Sequence, residues 1–205
     1  MSYWLYSILK STLHTTLHTT LQTRLCQWSI NKIRQNVYPW LYNSWEADLI
    51  LEEPSRVWLG GLDSACDRKS LKLFKIERII TAVYDIDPIF PDDPELLYLK
   101  VPVIDEPNAD IAKHFNRAID FIDESIKMNK SVLIHCVYGV SRSATLICAY
   151  LIKKKGLTVG EAIKFVKLRR PKAEPNRGFL LELERLYLSN LDKEDYDYGG
   201  RKFVQ

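Results

Sequence analysis

SVLIHCVYGVSRSATLICAYLIKKKG, residues 131–156, decides how this chain is read. SVLIHC, residues 131–136, is a short apolar run of the length a buried strand needs. SATLICAYLIKKKG, residues 143–156, predicts a largely apolar helix with Lys153, Lys154 and Lys155 in its last turn and Gly156 at its end. Cations suit the negative end of a helix dipole, and glycine suits a left-handed C-cap. Between the two lie small or uncharged residues, Val137, Tyr138, Gly139, Val140 and Ser141, and then Arg142. In open α/β sheets, ligands bind where a strand hands over to a loop and a helix N-terminus. A loop with Gly139 at its centre can curl so that successive backbone N–H groups point inward, and the helix beginning near Ser141 adds its positive end. Arg142 supplies a planar fork that matches two phosphate oxygens, which lysine cannot reproduce. The expected object is a cradle for a dianion.

A cysteine in such a cradle is not an ordinary thiol. Helix N-termini and nearby cations lower a cysteine pKa from about 8.5 into roughly the 3.5 to 7.5 range. Cys136 is therefore expected to be a thiolate nucleophile that attacks phosphorus while the loop amides and Arg142 hold the equatorial oxygens. Ser143 can donate to the sulfur and improve it as a leaving group, and His135 can brace the loop through backbone hydrogen bonds. The departing oxygen needs a proton donor. Asp105 is the expected one, because it follows the apolar run LLYLKVPVI, residues 96–104, and so leaves a strand at the same sheet edge. Glu106 is its local rival, and Asp85, Asp87, Asp92 and Asp93 are distant ones.

Around this motif, VWLGG at 57–61 and RIITAVYDI at 78–86 also read as strands. DIAKHFNRAIDFIDESIKM, residues 110–128, reads as an amphipathic helix capped by Asp110. Thr158 and Glu161 form a capping box for a further helix, and PNRGFLLELERLYL begins a final one. The alternation predicts an α/β fold: a central, mostly parallel sheet flanked by helices.

Composition frames the partners. The 205 residues are 46% hydrophobic and 27% charged, with a net charge of +3, which suits a globular domain and gives no reason to expect nucleic acid. Cys26, Cys66, Cys136 and Cys148 are widely spaced, without a C-x-x-C pair or zinc-ligand spacing, so neither metal nor disulfide framework is expected, and a reducing compartment is. No apolar run is long enough to span a membrane. Residues 1–45 hold Lys10, Arg24, Lys32 and Arg34 and no acid, which marks an N-terminal extension. Within it, Leu5, Leu9, Leu13, Leu17, Leu21 and Leu25 repeat every four residues. In a helix each step of four advances about 40°, so these leucines wind a broad apolar stripe. Three partners compete for that stripe: the catalytic body or a second copy of the chain, a membrane surface, and a mitochondrial-type import receptor. Residues 46–191 are expected to be the catalytic domain and 192–205 a flexible tail.

HCVYGVSRSAT, VPVIDEP and RRPKAEPNRGFLLEL together resemble the protein tyrosine phosphatase superfamily, specifically its compact dual-specificity branch, over roughly residues 54–190. The resemblance implies Cys136 as nucleophile, Arg142 as phosphate binder, Asp105 as general acid and base, Ser143 as leaving-group aid and His135 as loop support. It also implies that Asn176 braces the site. Members of this branch work without metal or cofactor and take phosphoserine and phosphothreonine as well as phosphotyrosine. Val137, Tyr138 and Val140 bring no charge into the loop, which favours phosphorylated proteins over inositol phosphates. RNA 5′-phosphate hydrolysis is the alternative that a basic rim of Lys167, Arg169, Arg170 and Lys172 would serve. The alternative of another class, a phosphoprotein-binding pseudophosphatase, would be marked by loss of the cysteine, the arginine or the acid.

Overall fold

The structure is a computed structural model and describes residues 46–198. The expected helical extension of residues 1–45 lies outside the described residues. Five strands form one sheet: β1 (Asp48–Leu51), β2 (Val57–Gly60), β3 (Ile76–Thr81), β4 (Leu97–Lys100) and β5 (Ser131–His135). Their order is β1-β2-β5-β3-β4, with β1 antiparallel to β2 and every other pair parallel. Gly60 and Thr81 both pair with His135, and Thr81 pairs with Lys100. Gly61, Ala82, Val101 and Cys136 therefore leave the sheet along one edge, and the loops that follow them meet there.

Two short helices, α1 (Leu62–Cys66) and α2 (Arg68–Leu73), connect β2 to β3. The other helices are α3 (Phe115–Lys127), α4 (Arg142–Lys155), α5 (Val159–Arg169) and α6 (Arg177–Tyr198). Side chains alternate across the sheet as a period of two requires. Val132 and Ile134 of β5 join the larger core cluster with α3, α4 and α6, whereas Leu133 joins Trp58, Leu71 and Ile79 on the opposite face. Burial on both faces explains why the central strands read as continuous apolar runs. Helix α4 is buried from Arg142 to Ile152, so its sequence is apolar all round until the lysines. Gly156 ends it at φ 67°, in the left-handed region, as predicted.

The capping box at Thr158 and Glu161 is formed. Asp110 does accept from the Lys113 N–H, at 3.2 Å, but the turn it closes is a 3-10 turn, Ala112–His114, and the α-helix starts only at Phe115. The two longer predicted strands are shortened. β3 stops at Thr81 and β4 at Lys100, because Ala82 N donates to His135 O (2.8 Å) and Val101 N to Thr81 O (2.9 Å), after which no ladder partner continues. Val101 and Val103 stay buried, which is why the run looked like one long strand. β1 was not expected, since it is a four-residue edge strand with a single fully buried position, Ile50. At the other end, the boundary placed at residue 191 falls inside α6, which runs on to Tyr198 through helix-compatible lysine and glutamate. Among the described residues, no helix is long and apolar enough to cross a membrane.

Candidate active site

The loop after β5 wraps back on Cys136. Gly139 adopts φ 66°, a conformation that side chains penalise, and its N–H donates to Cys136 Sγ at 3.2 Å. Ser143 Oγ donates to the same sulfur at 3.2 Å. Burial pushes the Cys136 thiol up, but the Ser143 hydroxyl and N–H, the Arg142 charge and the Val140 N–H act against it, and the net result lies below the ordinary value. Gly61 makes room for the loop: Leu62 N donates to Val137 O at 2.9 Å, and a Cβ on Gly61 would meet that same oxygen at 3.0 Å.

Ser141 occupies the N-cap of α4, yet its side chain accepts nothing from the helix. Its Oγ instead donates to Asp105 Oδ1 at 2.6 Å and accepts from Asn176 N at 3.2 Å. The leading N–H groups of α4 thus remain available to an anion rather than to their own cap. Arg142 is buried; its Nη1 donates to Val103 O at 3.2 Å, and its Nε lies 3.6 Å from Asp105 Oδ2, beyond hydrogen-bonding distance.

Asp105 is brought to this loop from the 101–111 segment, as expected. Besides Ser141, Asn176 Nδ2 donates to its Oδ1 at 2.9 Å, while Asn176 Oδ1 accepts from Phe179 N at 3.0 Å and so fixes the amide's orientation. Of the rivals, Glu106 is exposed, Asp87 pairs with Lys100 at 2.5 Å, and Asp93 pairs with Arg68. One positioning residue was not anticipated. Gly178, at the start of α6, is packed so tightly on the 101–111 segment that a Cβ there would overlap Pro107 O. Its sequence signal was the PN-x-G spacing, which reads only as a helix start.

His135 is buried beside Cys136, with Nδ1 3.2 Å from Cys136 O and Nε2 3.0 Å from Thr81 Oγ1. A carbonyl can only accept, so Nδ1 carries the proton and Nε2 accepts from the threonine hydroxyl. Burial holds its pKa down to about 4.

The basic rim expected from Lys167, Arg169, Arg170 and Lys172 forms only in part: Arg169 and Lys172 are exposed and Lys167 is half-buried, each with a partner. Lys167 pairs with Glu174, Lys172 with Glu46 (2.9 Å), and Arg169 stacks on the Phe165 ring (3.8 Å to its centroid). Arg170 is not on the surface at all, being 1% exposed. Tyr138, by contrast, is 64% exposed at the loop's crest, while Val137 and Val140 are half-buried. Among the described residues, no cluster of His, Cys, Asp and Glu side chains is arranged to hold a metal.

The family model described as dual specificity phosphatase, catalytic domain, matches residues 57–187. The chain belongs to the dual specificity phosphatase family. It is 38% identical over 130 residues to dual specificity protein phosphatase 1 of Arabidopsis thaliana, covering 63% of this chain and 65% of that protein. It is 34% identical over 142 residues to dual specificity protein phosphatase Mpk3 of Drosophila melanogaster, covering 69% of this chain and 34% of that protein. The chain thus spans less than two thirds of the length of both relatives. The crystal structure of DUSP15 superposes with a TM-score of 0.67 at 30% identity, covering 78% of this chain and 98% of that one.

Two expected outcomes follow from this geometry. Gly178→Ala should displace the segment that carries Asp105, lowering kcat for an aryl phosphate by about tenfold or more while KM changes little. Steady-state kinetics showing an unchanged kcat would remove Gly178 from the site. For His135, the unfolded chain takes up a proton near the ordinary pH of 6.5 that the folded protein refuses until about 4. Stability is therefore complete above the upper value and is lost as pH falls through that window, by about 3 kcal/mol. His135→Gln should flatten that part of the Tm-versus-pH curve, and parallel curves would disprove the assignment.

Proposed function

We propose that this chain hydrolyses phosphate monoesters on proteins, at phosphotyrosine and at phosphoserine and phosphothreonine, through a phosphocysteine intermediate. The observation that carries the reading is Cys136 Sγ receiving both the Gly139 N–H and the Ser143 hydroxyl at 3.2 Å, in a loop closed by Arg142. A buried sulfur so surrounded favours the thiolate.

In the first step the Cys136 thiolate forms the S–P bond as the P–O bond to the protein side chain breaks, and Asp105 gives its proton to the departing oxygen. The loop N–H groups and Arg142 hold the three remaining oxygens, where charge is spread in the transition state. The buried Nε of Arg142, which has no acceptor within hydrogen-bonding distance, is suited to one of them. In the second step Asp105 takes a proton from water, the water oxygen bonds to phosphorus, and the S–P bond breaks to release inorganic phosphate. Ser143 steadies the sulfur as it leaves with its electron pair, and Ser141 and Asn176 keep Asp105 beside the loop throughout.

A protein substrate is favoured over RNA or an inositol phosphate by two features: the loop residues Val137, Tyr138 and Val140 are uncharged, and the nearby lysines are engaged by Glu174 and Glu46. Retention of Cys136, Arg142 and Asp105 in one network favours turnover over binding alone. The wide spacing of Cys26, Cys66, Cys136 and Cys148 in the sequence, with no C-x-x-C pair, suits a reducing, cytoplasmic setting. For residues 1–45 the proposal is association, either with a second copy through the leucine stripe or with a membrane surface, separate from the chemistry.

Turnover of a generic aryl phosphate should disappear in Cys136→Ser, and wild type without such turnover would end the enzyme reading. Asp105→Ala should slow kcat by about two orders of magnitude with substrate binding retained. Deleting residues 1–30 should alter sedimentation, with or without liposomes, and leave aryl phosphate turnover intact; identical sedimentation in both settings would dismiss the association role.

A further inference from the structure

Arg170 is the largest fully buried side chain among the described residues, and a buried guanidinium must satisfy its donors. Nε donates to Gly139 O at 2.7 Å and Nη2 to Tyr138 O at 3.3 Å. Nη1 donates to Glu46 O and to Asp48 Oδ2, each at 2.6 Å. The side chain thus ties the catalytic loop to the residues that lead into the edge strand β1. Gly139 is also what lets it approach, since a Cβ there would overlap Arg170 Nη2.

Peptide units are planar and trans, so the C=O of one residue and the N–H of the next point in opposite directions. Drawing Tyr138 O and Gly139 O toward Arg170 turns the N–H groups of Gly139 and Val140 the other way. The Gly139 N–H reaches Cys136 Sγ at 3.2 Å, and the Val140 N–H is among the groups that favour the thiolate. A cation on the carbonyl side also polarises the same two peptide units and strengthens them as donors. The four acceptors, Gly139 O, Tyr138 O, Glu46 O and Asp48 Oδ2, match the spread of a five-donor guanidinium fork, whereas an ammonium has three donors at one point.

We propose that Arg170, anchored by Asp48, is a positioning residue that sets the 138–139 and 139–140 peptide planes, and through them the donors facing Cys136 Sγ and the transferred phosphoryl group. The role in phosphoryl transfer rests on the phosphatase reading above; the role at the sulfur does not.

The test uses the full chain with Arg170→Lys and Asp48→Asn. The first readout is the pH dependence of Cys136 alkylation by iodoacetamide, followed at the Cys136 peptide by mass spectrometry. The second is kcat and KM for an aryl phosphate, with circular dichroism to verify folding. Arg170→Lys should move the alkylation midpoint up by about one pH unit and lower kcat/KM by about tenfold or more. Asp48→Asn should produce the same two changes to a smaller, few-fold extent. A folded Arg170→Lys with the wild-type midpoint and kcat/KM overturns the proposal. Should Arg170→Lys not fold, Asp48→Asn decides, and unchanged values there overturn it equally. A shifted midpoint in variants of a chain that shows no wild-type turnover supports Arg170 and counts against the phosphatase reading instead.

Discussion

Charge on a sulfur held away from water can be stabilised only by the protein itself, and most of what surrounds Cys136 bears on that constraint. The sulfur is 1% exposed, and burial alone opposes its charge. Offsetting it takes several donors aimed at one atom, and a backbone can aim them only if it coils tightly and carries no side chains on the inside. Gly139 at φ 66° makes the coil, and the small residues around it keep the interior clear. The same crowding is felt from outside, because the loop is pressed onto the end of β2, where a Cβ on Gly139 would meet Gly60 O at 2.5 Å and one on Gly61 would meet Val137 O at 3.0 Å. β5 lies at the centre of the sheet order, so the neighbours on either side, Gly60 and Thr81, both pair with His135, just before Cys136.

The acid side of the site is built by a different part of the fold. Asp105 belongs to the segment after β4, an edge strand, and nothing in the sheet itself would carry its carboxylate to the loop. The start of α6 does so: Asn176 donates to the carboxylate, and Gly178 lets the backbone at Pro107 lie against the helix. Ser141 joins the two halves, because its hydroxyl donates to Asp105 while it accepts from Asn176 N. A residue that would ordinarily cap its own helix has been turned outward, leaving helix N–H groups for an anion and tying acid to loop with the same atom.

The strand, loop and helix of residues 131–156 were legible because the chemistry is local: strand period, glycine, arginine and C-cap all fall within one short stretch. Asp105 was legible because an apolar run points to a sheet edge, although only the first part of that run proved to be in a ladder. Arg170 was not legible. Its partners Gly139 and Asp48 lie 31 and 122 positions away, and in sequence it stands among Lys167, Arg169 and Lys172, where a solvated basic face is the natural reading. β1 escaped notice for a related reason: a short, half-exposed strand has too little pattern to register, and its importance lies in the contact that Asp48 makes.

Cys148 shows that the donors around Cys136, and not its burial, are what hold its thiol below the ordinary value. Both sulfurs are 1% exposed, both belong to the stretch that opened the sequence reading, and both pack in the same core cluster. At Cys148, in the middle of α4, every backbone N–H nearby is spent on the helix, and burial pushes the thiol up to about 12. At Cys136, just ahead of that helix, the loop and the first turn still have N–H groups to give, and the shift runs in the opposite direction. Two thiols of equal burial are thus shifted in opposite directions because one sits inside a helix and the other before its N-terminus. The direction of that shift is a property of backbone geometry, which is why a residue that never touches the sulfur, such as Arg170, bears on it through Tyr138 O and Gly139 O.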